Sequence, residues 1–424
     1  MLSYWLGLAK ERGFMKNCII AQSGGPTTAI NASLAGVLLE NEERHYFDTI
    51  YGSINGVTGI FTENILNLSE KIQNIPGFID KLKVTPAMYL GSCRYKLPSP
   101  EDDTDTYNKI FSFFEKYEID SFFYIGGNDS MDTVLKLSDY AKSIGSSVKI
   151  IGIPKTIDND LCGTDHTPGF GSAAKYVAAS LLEIAHDTYI YPVKSVTIVE
   201  IMGRDAGWLT AASALARNEY SKAPHLIYLP ERAFDVDGFV KDVKRLLEAQ
   251  NSVVVAVSEG IRDKDGNYIC NTGAGTDNFG HQQLSGTGKA LEGIVADRIG
   301  VKVRSVEINI LQRCAAHLSS LTDLDESMMQ GQKAHSLAVE GNSGVMVMLK
   351  RLSNNPYSVS TDYMDIHDAA NLVKSVPTEW ITPAGNDVTE EMMTYLRPLV
   401  VGEPDVTYKN GLPEYLSVEH LLSI

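Results

Sequence analysis

The chain has 424 residues, of which 44% are hydrophobic and 21% charged, which suits a globular protein of two or three domains. Its 37 basic and 53 acidic residues give a net charge of −16, which argues against nucleic acid or an anionic membrane as a partner. No apolar run reaches the roughly 18–20 residues of a membrane span, and the five scattered cysteines form no CxxC pair, as expected for a cytoplasmic protein with reduced thiols.

The N-terminal region predicts one strand and one glycine-rich turn. Residues 1–14 are a weak amphipathic helix candidate without a signal-peptide layout, and Met15 is an alternative start, so we place no function before it. Residues 18–21 predict a strand, residues 23–26 (Ser-Gly-Gly-Pro) a turn, and residues 28–39 a helix. The turn alone is a weak signal, because any tight strand-to-helix connection uses such residues.

Two loops further along carry most of the chemical information. Residues 126–130 (Gly-Gly-Asn-Asp-Ser) follow a predicted strand at 122–125 and precede a helix from Met131. Residues 154–160 (Pro-Lys-Thr-Ile-Asp-Asn-Asp) follow a predicted strand at 148–153. Glycines at a strand end let the backbone approach a phosphate, which the N-terminus of the next helix then favours. Either loop alone also fits a structural turn; together they predict a site for phosphoryl transfer.

Strands and helices continue to alternate, which predicts an α/β fold with mainly parallel sheets covered on both faces. The remaining predicted elements are a helix at 172–190, a strand at 196–201 ending at Met202-Gly203-Arg204, a helix through Ala216, and strands at 225–229, 253–257 (before Ser258-Glu259-Gly260) and 303–311 (before Gln312-Arg313). The polar residues follow the carboxyl ends of strands, where open α/β sheets bind ligands. After Trp380 the alternation weakens, and we interpret that tail as an extension packed on the body.

Side-chain chemistry suggests roles within these loops. Asp158 is a candidate general base, Lys155 would neutralise charge on a transferred phosphoryl group, and Asp160 could orient Lys155 or share a metal. The arginines that could bind phosphate oxygens are Arg94, Arg204, Arg304 and Arg313. Glu259 could accept hydrogen bonds from sugar hydroxyls or serve as a structural carboxylate, and the histidines show no metal-ligand spacing.

These motifs, in this order, resemble the phosphofructokinases and especially their pyrophosphate-dependent branch, from about residue 17 to residue 349. The matching stretches are Gly24-Gly25, Gly91-Ser92-Cys93-Arg94, Gly126 to Ser130, Pro154 to Asp160, Met202-Gly203-Arg204, Glu259 and Gln312-Arg313. The resemblance implies two Rossmann-like doubly wound domains, an active site in the cleft between them and a C-terminal extension. We expect a phosphoryl-donor domain at 15–161, a fructose 6-phosphate domain at 162–349 with the chain crossing between the two, and the extension at 350–424.

The resemblance implies reversible phosphoryl transfer to the C1 hydroxyl of fructose 6-phosphate, giving fructose 1,6-bisphosphate in glycolysis or gluconeogenesis. Relatives that use ATP have glycine where this chain has Asp129 and Lys155. The Asp129 carboxylate would repel a nucleotide α-phosphate: two like charges ~4 Å apart cost ~4 kcal/mol at an effective dielectric near 20. Lys155 would supply positive charge to a donor without a nucleoside. Both residues predict pyrophosphate as the donor.

Roles follow from the resemblance residue by residue. Its implied site comprises catalytic Asp158, Lys155 and Asp129; donor-binding Gly25, Arg94, Gly127 and Ser130; substrate-binding Thr156, Asp158, Met202, Gly203, Arg204, Glu259, Arg304 and Arg313; and Asn128 at the metal. Mg²⁺ is the implied cofactor. Arg304 is expected to reach the 6-phosphate from a neighbouring subunit, so we expect a cytoplasmic homodimer with a shared active site.

Three departures and three alternatives remain. Asn128 replaces an aspartate that holds Mg²⁺ in many relatives, Ser195 replaces a cross-subunit arginine for which Lys194 could substitute, and Ile310 replaces a histidine or tyrosine at the sugar phosphate. One alternative is an ATP-dependent phosphofructokinase that tolerates Asp129. An NAD or lipid kinase would share the glycine loop but not the Thr156–Asp158 motif. A non-catalytic regulatory subunit would be expected to lose Asp158 or Lys155.

Overall fold

The computed structural model of the protein describes residues 16–270 and 284–422, so the helix predicted within residues 1–14 lies outside the described residues. The strands are β1 (Asn17–Gln22), β2 (Thr49–Ser53), β3 (Ile65–Asn67), β4 (Ile119–Gly126), β5 (Lys149–Pro154), β6 (Ser195–Ile201), β7 (Leu226–Tyr228), β8 (Ser252–Ser258), β9 (Lys302–Glu307), β10 (Val345–Asn354), β11 (Tyr357–Asp365), β12 (Tyr408–Lys409) and β13 (Leu412–Pro413).

The helices connect these strands. They are α1 (Ile30–Arg44), α2 (Thr58–Phe61), α3 (Leu68–Asn74), α4 (Phe78–Val84), α5 (Thr104–Lys116), α6 (Asn128–Ser143), α7 (Phe170–Tyr189), α8 (Trp208–Ala212), α9 (Val236–Ala249), α10 (Thr287–Arg298), α11 (Leu311–Cys314), α12 (Leu321–Val339), α13 (Glu390–Leu396) and α14 (Glu419–Leu422). Short 3-10 turns lie at Ser213–Ala216, Ala316–Leu318, Ile366–Asp368, Thr378–Trp380 and Arg397–Val400. Within the described ranges, no helix is both long and apolar enough to cross a bilayer.

Two sheets organise the fold. The larger has seven strands in the order β11-β10-β5-β4-β1-β2-β3, parallel from β10 to β2 with an antiparallel strand at each edge. The smaller has four parallel strands in the order β7-β8-β6-β9. Helices and apolar clusters cover both faces of each sheet, so the predicted α/β class with two Rossmann-like halves is confirmed.

Burial on both faces explains the apolar runs that predicted the strands. In β4, Phe123 and Ile125 pack on one face of the larger sheet, whereas Phe122 and Tyr124 pack on the other. The residues of β8 alternate in the same way between two clusters of the smaller sheet. Because successive side chains in a strand point to opposite faces, a strand covered on both sides needs a continuous apolar sequence.

Several predicted element ends were wrong. The helix after the second glycine loop begins at Asn128 and not at Met131, and α1 runs from Ile30 to Arg44 and not from 28 to 39. The strand predicted at 303–311 ends at Glu307, because Asn309 adopts a positive φ of 49° that a strand cannot contain. A short helix, α11, follows there, so Arg313 lies on a helix and not at a strand end.

The C-terminal part of the chain returns to the larger sheet. The boundary predicted between residues 349 and 350 falls inside β10, because that strand continues through it and pairs with β11. Helix α12 packs along α1 on the same half of the molecule. Beyond residue 380, side chains such as Met392 and Leu396 join the core of the smaller sheet. The allocation of the remaining residues to two domains stays a prediction.

Candidate active site

A cavity of about 410 Å³ lies between the two sheets, within the usual size range of small-molecule sites. Its lining brings together almost every residue that the sequence analysis singled out: Gly25, Arg94, Gly127, Asn128, Asp129, Ser130, Lys155, Thr156, Asp158, Met202, Gly203, Arg204, Glu259 and Arg313. These residues come from loops at the carboxyl ends of strands in both sheets and from α6 and α11. The predicted position of the site, in the cleft between the halves, agrees with this lining.

The glycine-rich loops of the larger sheet are held to one another by main-chain hydrogen bonds. The Ser23 N–H donates to the Ile125 carbonyl (3.0 Å), and the Lys155 N–H donates to the Gly126 carbonyl (2.9 Å). Gly126 must lack a side chain, because a Cβ atom there would lie 1.9 Å from the Ser130 Oγ. The backbone at this rim of the cavity is therefore closely packed and suited to a rigid phosphate cradle.

Helix α6 directs its first turn at the cavity. Gly127 precedes the helix in an extended conformation, and Asn128 and Asp129 occupy the first turn. The main-chain N–H groups of a first helical turn lack intrahelical acceptors, which makes this end favourable for anions. The Asp129 carboxylate introduces a negative charge at the same place, so a ligand here has to fit beside it.

Lys155, Asp158 and Asp160 form a charged group on the second loop, in which Lys155 is buried and the two aspartates are half-buried. The Lys155 Nζ donates to the Gly25 carbonyl (2.7 Å), and burial lowers the pKa of Lys155 to about 8. Burial raises the pKa of Asp158, while the charges of Arg204, Lys155 and Arg313 lower it. The pKa of Asp160 rises to about 7, through burial and then the charge of Asp158. Such opposed shifts are typical of sites that move protons near neutral pH.

The smaller sheet supplies the other wall. The Glu259 Oε1 accepts hydrogen bonds from the main-chain N–H groups of Gly203 (3.3 Å) and Arg204 (3.1 Å). Glu259 therefore fixes the turn that carries Arg204, a structural role that the sequence left open beside sugar binding. Burial raises its pKa to about 7. Arg313 reaches the cavity from α11, and burial lowers its pKa.

The side chains of the cavity alone offer too few ligands for a hard cation such as Mg²⁺. Together with the phosphate oxygens of a substrate they could complete its coordination. Within the described residues there is no group of three or more histidine, cysteine, aspartate or glutamate side chains that could hold a metal. However, the buried Asn128 Oδ1 has no hydrogen-bond partner, and its Nδ2 donates to the Asp160 Oδ2 at 3.3 Å. An amide oxygen and a carboxylate are ligands that Mg²⁺ accepts alongside substrate phosphates and water.

Arg304 is the one predicted site residue that lies away from the cavity of its own chain. It lies in β9, where its guanidinium contacts Asp187 and its Nε donates to the Thr197 Oγ1 at 3.3 Å. A contact with the site of a second subunit stays a prediction. Conversely, Asn371 and Val373 line the cavity although the sequence analysis missed them. They follow β11 without any motif and lie more than 200 residues beyond the loop of residues 154–160, so no sequence signal identified them.

Comparisons with known proteins agree with this geometry. The sequence model described as "Phosphofructokinase" matches residues 17–308. The chain is 40% identical over 408 residues to a pyrophosphate–fructose 6-phosphate 1-phosphotransferase of Xanthomonas campestris, covering 96% of each chain, and 40% identical over 402 residues to one of Halomonas elongata, covering 94% and 95%. A crystal structure of pyrophosphate-dependent phosphofructokinase from Nitrosospira multiformis superposes with a TM-score of 0.85 at 35% identity, covering 94% and 95% of the two chains. The chain belongs to the phosphofructokinase family.

Proposed function

We propose that this protein reversibly transfers a phosphoryl group from pyrophosphate to the C1 hydroxyl of fructose 6-phosphate, giving fructose 1,6-bisphosphate and phosphate. The observation that supports this most is the position of Lys155 and Asp129 in the same cavity as Asp158. The cavity thus contains both a candidate general base, Asp158, and two residues expected to favour pyrophosphate over ATP, Lys155 and Asp129. The names of the Xanthomonas and Halomonas relatives support the same reaction.

Asp158 acts as the general base. Its carboxylate removes the proton from the C1 hydroxyl as the oxygen attacks the terminal phosphorus, and the P–O bond to the leaving phosphate breaks. Burial brings its pKa upward from the ordinary aspartate range, which makes it a better proton acceptor, while Arg204, Lys155 and Arg313 keep it ionised. In the reverse direction the same carboxyl group returns the proton to the sugar oxygen.

The donor occupies the side of the cavity formed by the larger sheet. Gly25 and Gly127 let the main chain approach the phosphates, Ser130 and Arg94 offer further donors, and the first turn of α6 points at the same space. The Lys155 ammonium, buried beside Gly25, stabilises charge on the transferred group. The Asp129 carboxylate disfavours a third phosphate and its nucleoside.

Fructose 6-phosphate occupies the other side. Thr156, Met202 and Gly203 bound the sugar, Glu259 holds the turn and faces the sugar hydroxyls, and Arg204 lies beside the reacting oxygen. Arg313 binds the 6-phosphate as a guanidinium fork. We further propose that Arg304 of a second copy completes this phosphate site, so that the active assembly is a homodimer. We also propose that the enzyme works in the cytoplasm.

The Asn128 Oδ1 and the Asp160 carboxylate would hold a Mg²⁺ ion that enters together with the pyrophosphate. Bound there, it would neutralise charge on the donor oxygens. The neutral amide of Asn128 would contribute less than a carboxylate, so phosphate oxygens and water would have to supply the other ligands. Asp160 also lies close to Asp158, and a cation lowers the cost of burying both carboxylates.

The donor assay tests this function. Purified protein is supplied with fructose 6-phosphate, Mg²⁺ and either pyrophosphate or ATP, and fructose 1,6-bisphosphate is measured. We expect kcat/KM with pyrophosphate to exceed that with ATP by at least about 100-fold, since one like-charge contact near 4 Å is worth ~4 kcal/mol. Activity with ATP far above that with pyrophosphate would instead identify an ATP-dependent enzyme that tolerates Asp129. No turnover without a second polypeptide would point to a regulatory subunit.

A further inference from the structure

A segment of the C-terminal region, residues 371–376, crosses the cleft between the two halves; we call it the strap. On the side of the larger sheet, the Asn371 Nδ2 donates to the Asp132 Oδ1 of α6 at 3.1 Å, and Val373 forms a β-bridge with Leu161. On the side of the smaller sheet, the Val376 N–H donates to the Glu231 Oε1 at 3.0 Å. The strap therefore contacts both walls of the cavity.

Glu231 links the strap to the main chain that follows the Met202–Arg204 turn. Its Oε1 accepts a second hydrogen bond, from the main-chain N–H of Gly207 at 2.8 Å. Gly207 immediately precedes α8, which follows the Met202–Arg204 turn in sequence. The strap thus reaches the backbone behind the sugar side of the cavity as well as the loop of Asp158.

Lys374, in the middle of the strap, uses all three ammonium hydrogens on one loop. Its Nζ donates to the carbonyls of Asp165 (2.8 Å) and Thr164 (3.2 Å) and to the Asn159 Oδ1 (3.2 Å). Its main-chain N–H donates to the Asp160 carbonyl at 2.7 Å. Each of these acceptors lies in the loop of residues 158–165, which begins with the proposed base.

Trp208 of α8, in the half of the molecule that contains the smaller sheet, contacts Lys374 on the side away from the 158–165 loop. The Lys374 carbonyl accepts a hydrogen bond from the Trp208 Nε1 at 2.9 Å, and its ammonium lies 5.2 Å from the centre of the Trp208 ring. Trp208 itself is buried and begins α8. The ammonium is therefore confined between an indole from one half of the molecule and a loop from the other.

We propose that Lys374 is a positioning residue for phosphoryl transfer, whose ammonium holds the 158–165 loop so that Asp158 and Asp160 face the cavity. This rests on the proposed function. Lys374 does not line the cavity, so it acts through the loop and not on the substrates. Displacing a catalytic group by about 1 Å can lower the rate by about 100-fold, so loss of this anchor affects turnover.

The chain offers a matched control in Lys175 of α7. Its Nζ also has three acceptors, the main-chain carbonyls of Gly402 (2.6 Å) and Ser319 (3.2 Å) and the Glu403 Oε1 (3.2 Å), and it also tethers the C-terminal region. Like Lys374 it is half-buried, but neither it nor its acceptors line the cavity. Lys374→Met and Lys175→Met therefore remove equivalent ammonium groups, one behind the active-site loop and one elsewhere.

We expect Lys374→Met to lower kcat by roughly 10- to 100-fold while the KM for fructose 6-phosphate changes by less than about threefold, because Arg204 and Arg313 lie on other elements. Lys175→Met should keep both constants within about twofold of wild type. Melting temperatures of both variants are measured alongside. If Lys374→Met does not fold, Lys374→Leu, which also removes the ammonium and its three donor hydrogens, replaces it under the same criteria.

Wild-type kcat in the folded Lys374 variant would overturn the proposal, and so would an equal loss of kcat in Lys175→Met. A failure of the proposed function has a different signature, because it appears in the wild-type protein as turnover with ATP and not with pyrophosphate. In that case the ratio of variant to wild-type kcat is measured with ATP and still decides the role of Lys374.

Discussion

At the scale of single residues, the active site is a balance of buried opposite charges. Asp158 and Asp160 lie half-buried beside the buried Lys155, with Arg204 and Arg313 close enough to affect the ionisation of Asp158. Each charge would be costly to bury alone, so removing one changes the state of the others. The chain has a net charge of −16, yet it gathers basic groups at this one place, which is what anionic substrates require.

Replacing the proposed base should abolish most turnover without destabilising the fold. For Asp158→Asn we expect kcat to fall by about 10²- to 10⁴-fold, the usual contribution of a general base, while the melting temperature stays equal or rises. The amide avoids the burial penalty that raises the pKa of Asp158. Steady-state kinetics and thermal melts check this. Asp237→Asn, at a carboxylate that is 81% exposed and paired with Arg298, is the control and should keep wild-type kcat.

Donor choice should depend on Asp129 and Lys155 together. We expect the double variant Asp129→Gly, Lys155→Gly to lose pyrophosphate turnover, because it lacks the ammonium that stabilises the transferred group. Turnover is measured with both donors at fixed fructose 6-phosphate and Mg²⁺. An unchanged donor preference would mean that these two side chains do not select the donor, and would favour the ATP-dependent alternative.

At the scale of elements, close helix packing supports the glycine loops of the site. Helix α1 follows the Gly24–Gly25 turn and crosses α12 at a pair of glycines, Gly36 and Gly331. A Cβ at Gly36 would lie 2.1 Å from the Met328 carbonyl oxygen, which is main chain and cannot rotate away. The crossing distance of these helices therefore depends on both residues lacking a side chain.

Gly36→Ala should destabilise the protein although alanine is the better helix former. We expect a loss of about 1–3 kcal/mol in the free energy of unfolding, the usual cost of overpacking, measured by urea denaturation. The control is Gly293→Ala in α10, where a Cβ meets nothing within 4 Å. That variant should gain up to about 1 kcal/mol from helix propensity. A stabilised Gly36→Ala would show that the helices can move apart at little cost.

At the scale of the whole molecule, each sheet has its own core, and distant parts of the chain contribute side chains to it. Strands β10 and β11 complete the larger sheet, whereas side chains beyond residue 380 complete the core of the smaller one.

His335 lies in α12 against α1, with its Nε2 at 3.1 Å from the Asn41 Oδ1 and its ring 5.2 Å from that of Phe47. Burial lowers its pKa to about 4.

This histidine makes stability depend on pH. A base whose pKa is lower in the folded than in the unfolded chain favours folding above the unfolded value near 6.5, and that stability is lost as the pH falls towards 4. Between pH 7 and pH 5 we expect His335 to account for a loss of up to about 2 kcal/mol in the free energy of unfolding. Urea denaturation at both pH values measures it.

The variant His335→Gln should lose less stability than wild type over the same pH interval, because glutamine does not titrate. His186→Gln, at an exposed position in α7, is the control and should follow the wild-type pH dependence. Identical losses in wild type and His335→Gln would show that the pKa of this side chain is the same in the folded and unfolded chains.

The sequence by itself determined the fold class and most of the residues around the cavity. Strands buried on both faces need apolar runs, as in β4, and the loops that follow β4 and β5 place Gly127 and Lys155 at one edge of the larger sheet by the geometry of parallel strands. Ends of elements were less predictable: the positive φ of Asn309 ended β9 early, and the helix of Asn128 began three residues sooner than its apolar pattern suggested.

Only the tertiary structure decided which residues beyond the motifs reach the site. The strap carries no motif, and its contacts with Asp132, Leu161 and Glu231 join segments far apart in the chain, so no local pattern could reveal them. The same holds for the two hydrogen bonds that Glu259 accepts from the Arg204 turn. Local sequence specifies periodicity and turns, whereas long-range contacts depend on how complete elements pack, and that packing gives Lys374 its place behind the loop of Asp158.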